Sequence, residues 1–88
     1  MKYILITLLT THSEREYHHA IPKIINDKEN EYSFAENYCK SFWTAADENS
    51  WDAELEQVNL DGITTEVYDV QNLSKREYET LKTYLPNV

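Results

Sequence analysis

Apolar and polar positions alternate along this 88-residue chain in segments of recognisable period. The first segment, Tyr3-Ile4-Leu5-Ile6-Thr7-Leu8-Leu9, is aliphatic and β-branched at both alternating sets of positions, the pattern of a central strand with little water on either face. Thr10 to Arg15 is polar and turn-like. Tyr17 to Ile21 reads as a second strand ending before Pro22, which lacks the N–H that a central ladder needs. A helical signal competes over the same stretch: Ser13 and Glu16 match a capping box, and Tyr17, Ala20, Ile21, Ile24 and Ile25 fall at helical spacing. Pro22 inside such a helix costs about 3 kcal/mol, which favours the strand.

From Glu31 to Trp43, the positions Phe34, Ala35, Tyr38, Cys39, Phe42 and Trp43 form the stripe of an amphipathic helix. After a polar link, Thr44 to Ser50, the run Trp51 to Leu60 reads as a strand. Asp61-Gly62 is a two-residue hairpin signal, and Ile63 to Val70 is the return strand. Ser74 opens a second helix. Glu77 completes its capping box, Leu73 and Tyr78 occupy the hydrophobic-staple positions, Tyr78, Leu81 and Leu85 face inward, and Pro86 ends it. The order ββαββα predicts a single α+β domain over residues 1–88, with a four-stranded antiparallel sheet and two helices packed on one face. Leu5, Leu8, Phe34, Tyr38, Phe42, Val67 and Leu81 are its expected core.

Composition narrows the function classes. An apolar fraction of 41% and seven tyrosines supply surface enough to offset ordering entropy, unlike an acidic disordered tail. The one cysteine, Cys39, permits no internal disulfide and no multi-cysteine zinc pattern, which points to a reducing, cytoplasmic setting. Tyr3 to Leu9 follows Lys2 as a signal-peptide core would, yet it is short and no small-residue cleavage site follows. No stretch reaches the roughly 20 apolar residues of a membrane span. A net charge of -8 is repelled both by anionic lipid and by nucleic-acid phosphates, so neither membrane nor direct nucleic-acid binding is expected. The single glycine, Gly62, belongs to the hairpin, leaving no glycine-rich loop for a phosphate or dinucleotide and no expected cofactor.

Charge is unevenly placed. Between Lys40 and Lys75 there is no Lys or Arg, while eight acids occur: Asp47, Glu48, Asp52, Glu54, Glu56, Asp61, Glu66 and Asp69. Counting back from a tight Asp61-Gly62 turn sets Glu56 opposite Val67 and Glu54 opposite Asp69, so that Asp52, Glu54, Glu56 and Asp69 share one sheet face. Alternate strand residues are about 6.7 Å apart, a spacing of the same order as successive backbone phosphates. Like charges directly opposite are destabilising. The apolar phase also switches along the hairpin, from Val58, Leu60, Ile63 and Val67 to Trp51, Ala53, Leu55, Tyr68 and Val70. A bulge near Glu56-Gln57 resolves both conflicts and moves some acids off the shared face.

His18 and His19 are adjacent on a strand and point to opposite faces, so they do not ligate one metal together, and His12 reads as a hairpin residue. Cys39 lies on the apolar stripe and reads as core. Tyrosine and tryptophan are enriched at binding hot spots, and Trp51 adjoins the acidic run. The expected partner-binding residues are therefore Asp47, Glu48, Trp51, Asp52, Glu54, Glu56 and Asp69, with no catalytic and no metal-ligating residue.

The expectation is a non-enzymatic interaction module whose acidic face binds a basic surface of another protein, one that itself handles nucleic acid. In size and charge the chain resembles the small acidic inhibitors of phages and mobile elements, DNA mimics and anti-CRISPR proteins among them, a likeness of composition and not of motif. Three readings compete with it: an acidic surface that only keeps the domain soluble, a small metal-binding or hydrolytic domain pairing Asp or Glu with His, and a module that self-associates as a homodimer.

Overall fold

The computed structural model describes residues 1–84, which form two helices and a five-stranded antiparallel sheet. β1 (Lys2–His12) and β2 (Arg15–Ile25) pair in unbroken register from Lys2 opposite Ile25 to His12 opposite Arg15, with Ser13 at φ 59° in the turn. The strand reading of Tyr17 to Ile21 thus holds over the helical one, but the strand runs through Pro22 instead of stopping before it. β2 is an edge strand, where a proline is tolerated with its nitrogen turned away from the ladder.

α1 (Glu31–Lys40) starts at Asn30, whose side-chain oxygen accepts the N–H of Ser33 at 2.9 Å. Glu31 in its first turn and Lys40 in its last complement the helix dipole. The helix ends three residues before the expected Trp43. The N–H groups of Ser41 and Phe42 donate to the carbonyls of Tyr38 and Cys39, which tightens the last turn and releases Phe42 and Trp43 to pack against the core from outside the helix.

Within the link, Glu48–Ser50 forms a short 3-10 turn. The single strand expected from Trp51 to Leu60 is instead two, β3 (Trp51–Asp52) and β4 (Gln57–Leu60), folded back on each other. Asp52 causes the reversal: its Oδ1 accepts the N–H groups of Glu54 at 3.0 Å and Leu55 at 3.1 Å, and Glu56 closes the turn at φ 52°. This local side-chain competition with the ladder makes the sheet five-stranded instead of four-stranded. Asp61 and Gly62, at φ 51° and 86°, form the expected tight turn into β5 (Ile63–Leu73). α2 (Lys75–Tyr84) opens with the expected capping box, Ser74 Oγ accepting the Glu77 N–H at 3.1 Å and the Glu77 carboxylate accepting the Ser74 N–H at 2.9 Å. Leu85 and Pro86, expected to complete and end this helix, lie outside the described residues.

The strand order is β2-β1-β5-β4-β3. Ile4, Ile6 and Leu8 line one face of β1 and pack with Ile21, Ile25, Val58 and, from α1, Ala35 and Cys39. The opposite face carries Tyr3, whose ring lies 5.2 Å from that of Tyr78 in α2. The two helices therefore cover opposite faces, not one. β1 requires this because it is apolar on both sides, and a helix on one side alone leaves Tyr3 and Leu5 in water. Of the expected core, Leu8 is fully buried, Phe34, Tyr38, Phe42 and Val67 pack against the α1-side cluster, and Leu5 and Leu81 line a groove beside α2. Among the described residues no helix is long and apolar enough to cross a membrane.

Candidate interaction surface

α2 meets the sheet at one end, around Tyr3, Leu5 and Leu73. Beyond it, the α2-side face has no helix over it among the described residues. Register partners share a face, so the row Asp52, Gln57, Glu66, Leu9 and His18 crosses all five strands on this open side. Thr7 lies between Asp69 and Ala20 in the next row, and Glu16 pairs with Thr11. Tyr68, 61% exposed, stands edge-on to His18 with ring centroids 5.0 Å apart.

A bulge assembles this set. Between Thr7 and Leu8 the β1–β5 register shifts, so that Asp69 faces Thr7, Val67 faces Leu8 and Tyr68 is the extra residue. Glu66 and Asp69, three positions apart, would lie on opposite faces of a regular strand. The bulge puts both on the open face. The phase switch read from the sequence is real, but its causes are this bulge in β5 and the Ala53–Glu56 turn, not a bulge at Glu56-Gln57.

The charges of the strands are sorted by face. Among the described residues Glu16, Asp52, Glu66 and Asp69 are all the strand acids, and all lie on the open side. Lys2, Arg15 and Lys23 are all the strand bases, and all lie on the α1 side. There Lys2 Nζ pairs with Glu31 at 2.6 Å, a hydrogen bond that holds the Glu31 carboxyl below its usual range, and Lys23 Nζ sits 5.0 Å from the centre of the Tyr38 ring.

The expected ladder of Asp52, Glu54, Glu56 and Asp69 does not form. Asp52 and Asp69 do reach one face, joined by Glu66 and Glu16, which the register count did not place there. Glu54 and Glu56 sit exposed in the β3–β4 turn. Asp47 caps the 3-10 turn, accepting the Asn49 N–H at 2.9 Å, with Glu48 exposed beside it. Trp51 lies on the α1 side, packed against the core with Lys40 Nζ 4.8 Å over its ring, and is not part of the acidic face.

His18 and His19 point to opposite faces as expected. His19 contacts the ring of Phe42 at 5.0 Å and hydrogen-bonds the hydroxyl of Thr10 at 3.1 Å. Thr10 and Thr65 share a hydrogen bond of 2.9 Å, and Trp43 Nε1 donates to Thr65 Oγ1 at 2.9 Å. Cys39 is fully buried and its thiol donates to the Thr65 carbonyl; burial first, then the Glu66 and Glu36 charges, pushes its pKa up to about 11. A thiol held neutral in this way is a packing group and not a nucleophile. Burial, then the carboxylates of Glu56, Glu36 and Glu66, likewise raises the Tyr32 phenol. Among the described residues no three His, Cys, Asp or Glu side chains gather as a metal site. Comparison with protein-family models, with curated proteins and with solved structures finds no match to this chain.

Proposed function

We propose that this protein is a non-enzymatic interaction module that docks its open, acidic sheet face on a basic surface of another protein. The observation that carries the reading is the sorting of strand charge: four carboxylates and no Lys or Arg project from the strands on the side that α1 does not cover. Solubility alone requires acids somewhere on the surface and gives no reason to separate them from bases across a sheet. Tyr68 and Leu9 supply ring and aliphatic surface among the carboxylates, so the face joins steering charge with groups that contribute affinity once desolvated. Asp47, Glu48, Glu54 and Glu56 extend the negative field around the β3 edge. A partner surface that itself holds nucleic acid fits this charge, and the module then inhibits by occupation.

The test uses a triple variant, Asp52→Asn, Glu66→Lys and Asp69→Lys. Asparagine keeps the side-chain oxygen that the Asp52 turn needs. Circular dichroism first establishes that the variant folds. Its affinity for the partner recovered from the source cell by salt-gradient elution is then compared with wild type at low and physiological salt. Like charges facing each other at an interface cost several kcal/mol, so binding is expected to fall at least about 100-fold. Affinities that agree within a salt-screened background overturn the reading.

A further inference from the structure

On the α1 side of the sheet a chain of polar groups has its direction fixed at one end. Trp43 Nε1 lies 2.9 Å from Thr65 Oγ1, which lies 2.9 Å from Thr10 Oγ1, which in turn lies 3.1 Å from His19 Nε2. Among the described residues the two hydroxyls make no other hydrogen bond. An indole N–H can only donate, and a hydroxyl carries one proton. Thr65, fully buried, accepts from Trp43 and so gives its own proton to Thr10. Thr10, 4% exposed, accepts that proton and gives its own to His19. His19 Nε2 is therefore an acceptor, and the neutral ring carries its proton on Nδ1. The reverse direction fails. If Nε2 bears a proton it must donate to Thr10, and one of the two buried hydroxyl protons is left without an acceptor.

The surroundings of His19 favour the same neutral state. The ring is half-buried, 5.0 Å from that of Phe42 and 6.5 Å from that of Trp43. On this face β2 adds Tyr17 and the bases Arg15 and Lys23, β1 adds Lys2 and His12, and β5 adds no titratable group, since Glu66, Tyr68 and Asp69 stand on the other side. α1 adds Tyr32, Tyr38, the neutral Cys39 thiol and two acids that are already paired, Glu31 with Lys2 and Glu36 with Lys40. An imidazolium here meets bases and no unpaired carboxylate of these elements. We infer that His19 is an acid-sensitive latch: neutral, it completes the chain that ties Trp43 and the end of α1 to the sheet, and protonated, it breaks that chain. Histidine in an unfolded chain takes its second proton freely below about pH 6.5, whereas the folded chain does so only by losing a buried hydrogen bond. The unfolded state thus binds more protons. Stability contributed by the latch is present above this range and is lost as pH falls through it.

Two measurements test the latch. The imidazole nitrogen signals of the wild type at about pH 7.5, where free histidine is neutral, read the tautomer directly by nuclear magnetic resonance. The expected result is a proton on Nδ1 of His19 and an unprotonated, accepting Nε2; the opposite tautomer overturns the latch. Thermal melts of wild type and His19→Gln at about pH 7.5 and 5.5, on either side of the histidine range, then read the coupling. Glutamine offers a carbonyl oxygen to Thr10 and does not titrate, while His12, His18 and every carboxylate are common to both proteins. Acidification is expected to lower the wild-type Tm by at least about 4 °C more than that of the variant. Equal pH dependence overturns the latch. If His19→Gln does not fold, the wild-type tautomer still decides, together with the indole N–H signal of Trp43: a His19 ring that takes its second proton while that signal stays fixed overturns the latch as well. Neither measurement involves the open face or a partner, so the latch and the docking reading can fail separately.

Discussion

The two faces of the sheet are built from the same strands, residue by residue in alternation, and differ in nearly every physical property. On the α1 side Ile4, Ile6 and Leu8 are fully buried, the Thr10 and Thr65 hydroxyls are buried but mutually bonded, and the strand charges are positive, with Lys2 and Lys23 engaged with α1. On the open side the same strands present Leu9, His18, Tyr68 and four carboxylates. The difference shows which face maintains the fold and which is free to do something else. Burial and satisfied polar groups stabilise the α1 side. The open side adds little to stability, and its composition is therefore open to selection for binding.

The largest expected effect separates the faces directly. Ile6→Ala on the covered side removes buried methyl groups from a close-packed site and is expected to cost about 2–5 kcal/mol. Leu9→Ala on the open side is expected to cost about 1 kcal/mol or less. Urea melts of the two variants measure this, and equal losses would show that the open face is covered in solution.

The polar network gives a smaller contrast between neighbours in sequence. Thr65→Val keeps the volume but strands the Trp43 indole N–H and leaves Thr10 short of a partner, so a loss of about 1–3 kcal/mol is expected. Thr64, next in the chain and on the open side opposite Thr11, should accept valine within about 0.5 kcal/mol. Near-ultraviolet circular dichroism of Trp43 should change in the first variant and not in the second. A neutral Thr65→Val would mean that the buried hydroxyls do not hold the α1 end to the sheet.

How far the sequence discloses this arrangement follows from the range of the forces involved. Helix caps at Ser74 and Asn30 and the Asp61-Gly62 turn are decided within a few residues, and the first and last of these were readable from local chemistry. The continuation of β2 through Pro22 depends on its being an edge strand, a fact about sheet order that no local pattern contains. The same is true of the bulge at Tyr68: only pairing with β1 determines that Asp69 joins Glu66. The charge block between Lys40 and Lys75 marks an acidic segment, but its distribution over turn, edge and face depends on the β5 bulge and on one side chain in the β3–β4 turn. Asp52 reads as an ordinary strand acid by alternation, yet its carboxylate captures two backbone N–H groups and turns the chain.

That turn supports the smallest prediction and the sharpest check on how the acidic face is assembled. Glu56 holds φ 52°, a left-handed conformation that costs a residue with a Cβ about 1–2 kcal/mol and a glycine almost nothing. Glycine also has more unfolded-state freedom to lose, a penalty of about 0.5–1 kcal/mol. The difference makes Glu56→Gly a net gain of up to about 1.5 kcal/mol, read as an upward shift of the melting temperature. Glu56→Gln separates strain from charge, because it removes the carboxylate and keeps the Cβ; its stability should stay within about 0.5 kcal/mol of wild type. Since Glu56 lies in the turn and off the open face, Glu56→Gly should also leave partner affinity within about threefold, whereas Glu66→Lys alone should reduce it by far more. Destabilisation by glycine would mean that the β3–β4 reversal does not pass through a left-handed Glu56. In that case Glu54 and Glu56 return to a continuous strand, and the acidic face is the longer ladder that simple alternation predicts.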